Sequence, residues 1–129
     1  GLSRMIAMPS PAHVVLVVED EPILRLNAAE ALKDAGCEAF EAAGSQEALD
    51  ILSEHPEISV LFTDINMPGE RDGLALAEVV HQRWPGIRLI LTSGREQPAP
   101  ADIPDDGQFI AKPYHLDVIT NLIVSLPRS

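Results

Sequence analysis

The chain contains a single cysteine, Cys37, which excludes an internal disulfide and a cysteine-built zinc cluster. Aromatic residues make up only 4% of it, so the core must be built from aliphatic side chains. Basic residues are scarce: 9 Lys+Arg stand against 20 Asp+Glu, for a formal net charge of -11. Phosphate-rich partners require a basic patch, so nucleic acid and anionic membrane surfaces are excluded as main partners. No apolar run approaches the ~20 residues of a membrane-spanning helix. Residues Gly1 to Ala12 lack the apolar stretch of a secretory signal. What is present is 129 residues, 46% of them hydrophobic, enough for one ordinary packed domain and too apolar for a disordered chain. A soluble cytoplasmic domain is the expectation. Residues 1–12, with Pro9 and Pro11, read as a flexible lead-in in which Gly1, or more of Gly1–Arg4, is compatible with a cloning remnant, and the folded domain is expected over 13–129.

From His13 the pattern becomes regular. Val14-Val15-Leu16-Val17-Val18 is a continuous aliphatic run, as in a strand buried on both faces. Glu19-Asp20-Glu21-Pro22 ends it, with Pro22 suited to the first turn of a helix and the acids to its positive end. Ile23 to Ala35 reads as that helix, closed by Gly36. The cycle then repeats. Strands are expected at Cys37–Ala42, Ile58–Thr63, Ile87–Leu91 and Gln108–Ala111. Helices are expected from an N-cap at Ser45 through Glu54, at Leu74–Trp84 before Pro85-Gly86, and at His115–Ser125. Strand and helix alternating with short connections call for an α/β fold, a doubly wound parallel sheet with helices on both faces.

Open sheets of this kind bind ligands beyond the carboxyl ends of their strands. Those ends carry Glu19 and Asp20 after the first strand, Asp64 after the third, Thr92 and Ser93 after the fourth, and Lys112-Pro113 after the fifth. Three acids on one rim repel one another unless a cation joins them. Magnesium suits a few carboxylates together with water and phosphate oxygens. Lys112 adds a compact ammonium for a phosphate oxygen, and Thr92 a hydroxyl donor. The rim is thus prepared for a tetrahedral dianion on or beside one carboxylate, and Asp64 is the central one. Alone, Glu19-Asp20-Glu21 would be read as a helix-capping cluster; Asp64 and Lys112 on the same rim change that reading. The four histidines, His13, His55, His81 and His115, show no metal-ligand spacing. Cys37 reads as a small buried apolar residue.

Val17-Val18-Glu19-Asp20-Glu21, Thr63-Asp64-Ile65-Asn66-Met67-Pro68-Gly69, Leu91-Thr92-Ser93-Gly94 and Phe109-Ile110-Ala111-Lys112-Pro113-Tyr114 occur in order, each at a strand end. Together they resemble the response-regulator receiver domains of two-component signalling, over His13 to about Leu126. The resemblance implies a flavodoxin-like five-stranded sheet in the order 2-1-3-4-5. It implies that Asp64 is the phosphoacceptor, phosphorylated by a histidine kinase or histidine phosphotransfer protein. It implies Mg²⁺ as cofactor, held by Glu19, Asp20, Asp64 and the backbone carbonyl of Asn66. Lys112 and Thr92 would hold phosphoryl oxygens, Thr92 and Phe109 would form the switch pair, and Pro113 would follow a cis peptide. Output would pass by protein contact to a downstream target, with no conventional enzymatic turnover. Two competing functions have the same rim: an interaction module that works without phosphorylation, and a small metal-dependent phosphatase, for which Asn66 cannot serve as the general acid.

Two departures from the family stand out. Glu70 and Arg71 separate Gly69 from Asp72 where one residue is usual, with Arg71 expected on the solvated surface. Pro98, Pro100 and Pro104 interrupt Gln97–Asp106. An interior proline costs ~3 kcal/mol in a helix, so the fourth helix of the family is expected to be short or absent.

Overall fold

The computed structural model describes residues 11–66, 73–94, 103–104 and 107–127. Nine elements follow in chain order: β1 (Val14–Val18), α1 (Pro22–Asp34), β2 (Glu38–Ala42), α2 (Ser45–Glu54), β3 (Val60–Asp64), α3 (Gly73–Arg83), β4 (Arg88–Ser93), β5 (Gln108–Ala111) and α4 (Leu116–Ser125). The strands form one sheet in the order β2-β1-β3-β4-β5, with every neighbouring pair parallel. This is the doubly wound parallel sheet expected from the alternation, in the flavodoxin-like order that the resemblance implies. The expected short segment at 97–106 and the enlarged loop bearing Arg71 lie, except for Ile103 and Pro104, outside the described residues.

The pleat of the central strands builds two cores. Leu16 and Val18 of β1 join Leu61 of β3 and Leu89 and Leu91 of β4 against Leu49 and Leu52 of α2 and Leu76 and Val80 of α3. Val15 and Val17 point the other way and meet Val60, Phe62 and Ile90 against Ala28 and Leu32 of α1 and Ile119 and Ile123 of α4. Successive side chains on a strand alternate between faces, so a strand covered on both faces is apolar along most of its length, with Thr63 and Asp64 at the end of β3 the polar exceptions. That is why β1 and β3 are buried throughout.

Local chemistry sets the element ends. Pro22 opens α1, where its missing N–H costs nothing. Gly36, at φ 95, closes it in the left-handed region. Its N–H reaches the Lys33 carbonyl at 3.1 Å and that of Cys37 reaches Leu32 at 2.9 Å, the paired bonds of a Schellman cap. The expected N-cap of α2 moves by one residue. Gly44 occupies it without a side-chain bond, Ser45 is the first helical residue, and Glu47 Oε1 accepts from the Ala43 N–H at 2.8 Å. β3 starts at Val60 rather than Ile58, because Ile58 N–H turns back to the His55 carbonyl at 3.1 Å. β4 runs on to Ser93, because Thr92 and Ser93 still pair with Ile110 and Ala111 of β5.

The crossover from β2 to β3 passes over β1, so the sheet winds one way from β1 to β2 and the other way from β3 onward. A crevice opens at such a reversal, beyond the carboxyl ends of the two strands that flank it. Here those ends are Glu19-Asp20 after β1 and Asp64 at the end of β3. No helix among the described residues is long and apolar enough to cross a membrane.

Candidate functional site

Three chain segments converge at this crevice. Glu19 and Asp64 are buried residues at adjacent strand ends. Together with Asp20 they bring three carboxylate oxygens within 4.8 Å of one another. Lys112, just past β5, reaches across β4. Its Nζ donates to Asp64 Oδ2 at 2.8 Å and to Glu19 Oε1 at 2.8 Å. The peptide between Lys112 and Pro113 is cis. Lys112 N–H donates to the Ser93 carbonyl at 2.9 Å, which fixes where the lysine leaves the sheet.

Each carboxylate has further partners. The Asn66 N–H donates to Asp64 Oδ1 at 2.8 Å, so one oxygen of Asp64 faces a backbone amide and the other an ammonium. Glu19 Oε2 accepts from the Glu21 N–H at 3.2 Å. Burial pushes the Glu19 carboxyl above the usual carboxylate range, and the neighbouring Asp64 charge adds to it; the Lys112 ammonium and the Glu21 amide oppose the shift without cancelling it. Burial also disfavours the Lys112 charge, but hydrogen bonds and attraction from Asp64 and Glu19 outweigh it, and the lysine stays protonated well past the usual ammonium range. One ammonium for three carboxylates leaves the crevice with excess negative charge. A hard divalent cation fits that excess and the carboxylate oxygens that Glu19, Asp20 and Asp64 bring together.

Thr92 lies beside Asp64 in register on β4. It is 2% exposed, and its Oγ1 is the one buried side-chain polar atom among the described residues without a hydrogen-bond partner. Orphaned buried hydroxyls are uncommon because they forfeit their solvation. Thr92 lines a hollow too tight for a water molecule, together with Glu19, Asp64, Phe62 and Tyr114. Phe109 sits half-buried on β5, in register with Leu91 and against the core under α2 and α3.

Four further residues support the site, and of these the sequence places only Ser93 on the rim. Arg25 of α1 donates from Nη1 to the Glu19 carbonyl at 2.9 Å and pairs through Nε with Glu41 of β2 at 3.3 Å, which pins the acidic turn. Tyr114 stacks edge-on against Phe62, with ring centroids 5.7 Å apart, and packs in the core under α1 and α4. Gly73 opens α3 directly against the Asp64 backbone: a Cβ there would lie 2.6 Å from Ile65 Cα and 2.8 Å from the Asp64 carbonyl carbon. Ser93 Oγ accepts from Asn66 Nδ2 at 2.6 Å. Only Ser93 had a visible sequence signal, as a second hydroxyl at the end of β4. The other three act through long-range packing. His13, one of the four unassigned histidines, is buried at the opposite end of the sheet, just before β1, between Ser59 Oγ at 2.8 Å and the Leu126 carbonyl at 3.0 Å. Cys37 is buried, and burial pushes its thiol pKa up, which makes it a poor nucleophile.

Comparison with known proteins gives a consistent result. The family model described as response regulator receiver domain matches residues 15–124. The chain is 34% identical to the sensor kinase CckA of Brucella abortus (strain 2308) over 118 residues, which are 88% of this chain and 12% of that one. It is 32% identical to the response regulator receiver protein CpdR of the same organism over 112 residues, 84% of this chain and 92% of that one. Among solved structures, the receiver domain of the hybrid histidine kinase CckA superposes with a TM-score of 0.74 at 31% identity, covering 85% of this chain and 94% of that one. The chain therefore spans about an eighth of the sensor kinase it matches and nearly all of the receiver protein.

Proposed function

The chain belongs to the response regulator receiver domain family, and on that footing we propose that it is a phosphoacceptor in a cytoplasmic two-component phosphorelay, phosphorylated on Asp64. The observation that carries this reading is the pairing of two features around Asp64: an acidic crevice bridged by one lysine, and a buried threonine hydroxyl without a partner. The donor is a phosphohistidine on a histidine kinase or histidine phosphotransfer protein. An Asp64 oxygen attacks phosphorus, the phosphorus–nitrogen bond breaks, and the imidazole leaves with the electron pair. Such transfers have loose transition states, so positioning and charge compensation supply most of the acceleration.

Each residue has a role in that step. The Asn66 N–H orients the Asp64 carboxylate. Lys112 is held between Asp64 and Glu19, within reach of a phosphoryl oxygen carried by Asp64. Thr92 Oγ1 donates to a second phosphoryl oxygen and gains there the partner it lacks in the fold. Phe109 follows Thr92 inward, and this paired movement on β4 and β5 is the conformational signal. Mg²⁺, when held by Glu19, Asp20, Asp64 and the Asn66 carbonyl, supplies positive charge to the transferring oxygens. The phosphoryl group is accepted once per signalling event, so the protein is a signalling partner rather than a conventional enzyme.

Beside the crevice, Leu24, Asn27, Gly94, Lys112, Pro113, Tyr114 and Leu116 line an open, mainly apolar cavity of about 390 Å³. Ile23 and Leu26, also on α1, are exposed. An apolar surface beside an acidic rim suits docking of the donor protein, and the -11 net charge suits a protein partner rather than nucleic acid. Crystals or spectra of the protein with Mg²⁺ and beryllofluoride test the reading. The expected result is a tetrahedral fluoride adduct on Asp64 with Lys112 and Thr92 on its fluorines; an Asp64 carboxylate left unmodified at saturating reagent contradicts it.

A further inference from the structure

Beyond phosphoacceptance, the structure contains a contact that bears on how long the phosphoryl group survives. Ser93 is 2% exposed, at the last position of β4. It joins the ends of three strands. Its carbonyl accepts the Lys112 N–H at 2.9 Å, its hydroxyl accepts from Asn66 Nδ2 at 2.6 Å, and its neighbour Thr92 accepts the Ile65 N–H at 2.9 Å. Asn66 is half-buried, and its own N–H already holds Asp64 Oδ1. Asn66 is thus held twice, by its backbone N–H on the phosphoacceptor and by its carboxamide nitrogen on β4.

We propose that Ser93 is a positioning residue that prolongs the phosphorylated state by pinning the Asn66 carboxamide to β4. The inference rests on the phosphoacceptor reading of Asp64. Hydrolysis of the aspartyl phosphate requires a water oxygen to attack phosphorus on the side away from the Asp64 oxygen. The phosphorus–oxygen bond to Asp64 then breaks, the carboxylate leaves with the electron pair, and both water protons remain on the released dihydrogen phosphate. A carboxamide can donate to and accept from such a water at once, and so align it. While Nδ2 is committed to the buried Ser93 hydroxyl, the carboxamide of Asn66 cannot sweep across the crevice to do so. Without that hydroxyl it turns freely about its side-chain bonds and reaches the approach path. The amide–hydroxyl contact therefore lowers the rate of water attack without touching the phosphoryl group.

The test compares half-lives of the phosphorylated protein, prepared with acetyl phosphate and Mg²⁺, freed of reagent and followed by intact mass. Ser93→Val and Ser93→Thr give a pair of equal volume that differ in the hydroxyl. Thr is expected to keep the parent half-life, and Val to shorten it several-fold. Asn66→Ala alone is expected to match or exceed the parent half-life, and adding Ser93→Val to it is expected to change nothing further, which a purely structural role for Ser93 would not produce. Equal half-lives for the Thr and Val variants overturn the proposal, as does a Val effect that persists in the Asn66→Ala background. A parent protein that takes up no phosphoryl group overturns the phosphoacceptor reading itself, and this inference with it. Should Ser93→Val fail to fold, Ser93→Ala against Ser93→Thr makes the same comparison with less strain.

Discussion

Lys112 holds two carboxylates that would otherwise repel each other, and its neighbours feel the same field. Tyr114 is the chain's one tyrosine. Burial raises its pKa above the ordinary 10.0; the charges of Glu19 and Asp64 add to this, and Lys112 opposes it. Its alkaline absorbance titration should therefore have a midpoint above 10.0, moving back toward that value on unfolding. The sign follows for stability: the contribution is full below the unfolded value of about 10 and is lost as pH rises through the folded one. A titration at or below the ordinary value would show that the ring is not packed against Phe62. Gly73 acts by size instead. With a methyl group there forced onto the Asp64 carbonyl, Gly73→Ala should cost ~1–3 kcal/mol in urea unfolding and reduce phosphorylation of whatever remains folded. Neither effect was legible in the sequence. Tyr114 and Phe62 lie far apart in the chain, and nothing in an Asp-Gly pair reveals which backbone the glycine faces. That these residues share one rim was legible, because Glu19, Asp20, Asp64, Thr92 and Lys112 all stand within a residue or two of the end of an apolar strand run. Their connections were not: the bond from Lys112 to Glu19 joins positions whose proximity depends on the sheet order.

Among the elements, β1 was the plainest to read, since a strand covered on both faces reads as a continuous aliphatic run. Strand ends were less plain. The extension of β4 through Thr92 and Ser93 depends on pairing with β5, a short and half-exposed strand whose own sequence is weakly patterned. The consequence is functional. Because Thr92 remains inside the ladder, its hydroxyl is held at the depth of Asp64 rather than out on a loop. Leu61 lies fully buried in the core that joins β3 to α2 and α3. Leu61→Ala should destabilise the protein by about 2–5 kcal/mol in thermal or urea unfolding, through lost transfer energy and the cavity left behind. A cost below 1 kcal/mol would mean that the helices collapse onto β3, and would show the core to be more pliable than its packing implies.

At the scale of the whole molecule, the fold divides its labour between two poles. The aliphatic cores on both faces set the strand ends, and the reversal of winding between β1 and β3 gathers the acids at one of them. The buried charges there cost stability that the cores must supply, a common arrangement for functional sites. Net charge and the alternation of strands and helices were open to sequence reasoning because each follows from composition or periodicity, whereas the strand order came only from the resemblance to receiver domains. The Asn66–Ser93 pin and the Arg25 clamp were not legible, since both join side chains that only the folded sheet brings together. The central claim is that the crevice exists to place a phosphoryl group on Asp64. It is tested most directly by intact-mass and peptide mapping of the protein after incubation with acetyl phosphate, with Mg²⁺ and with excess chelator. One added phosphoryl group, located on Asp64, absent from Asp64→Asn and lost with the metal, is the predicted result. No added mass in the presence of Mg²⁺, or the same uptake by Asp64→Asn, would contradict it.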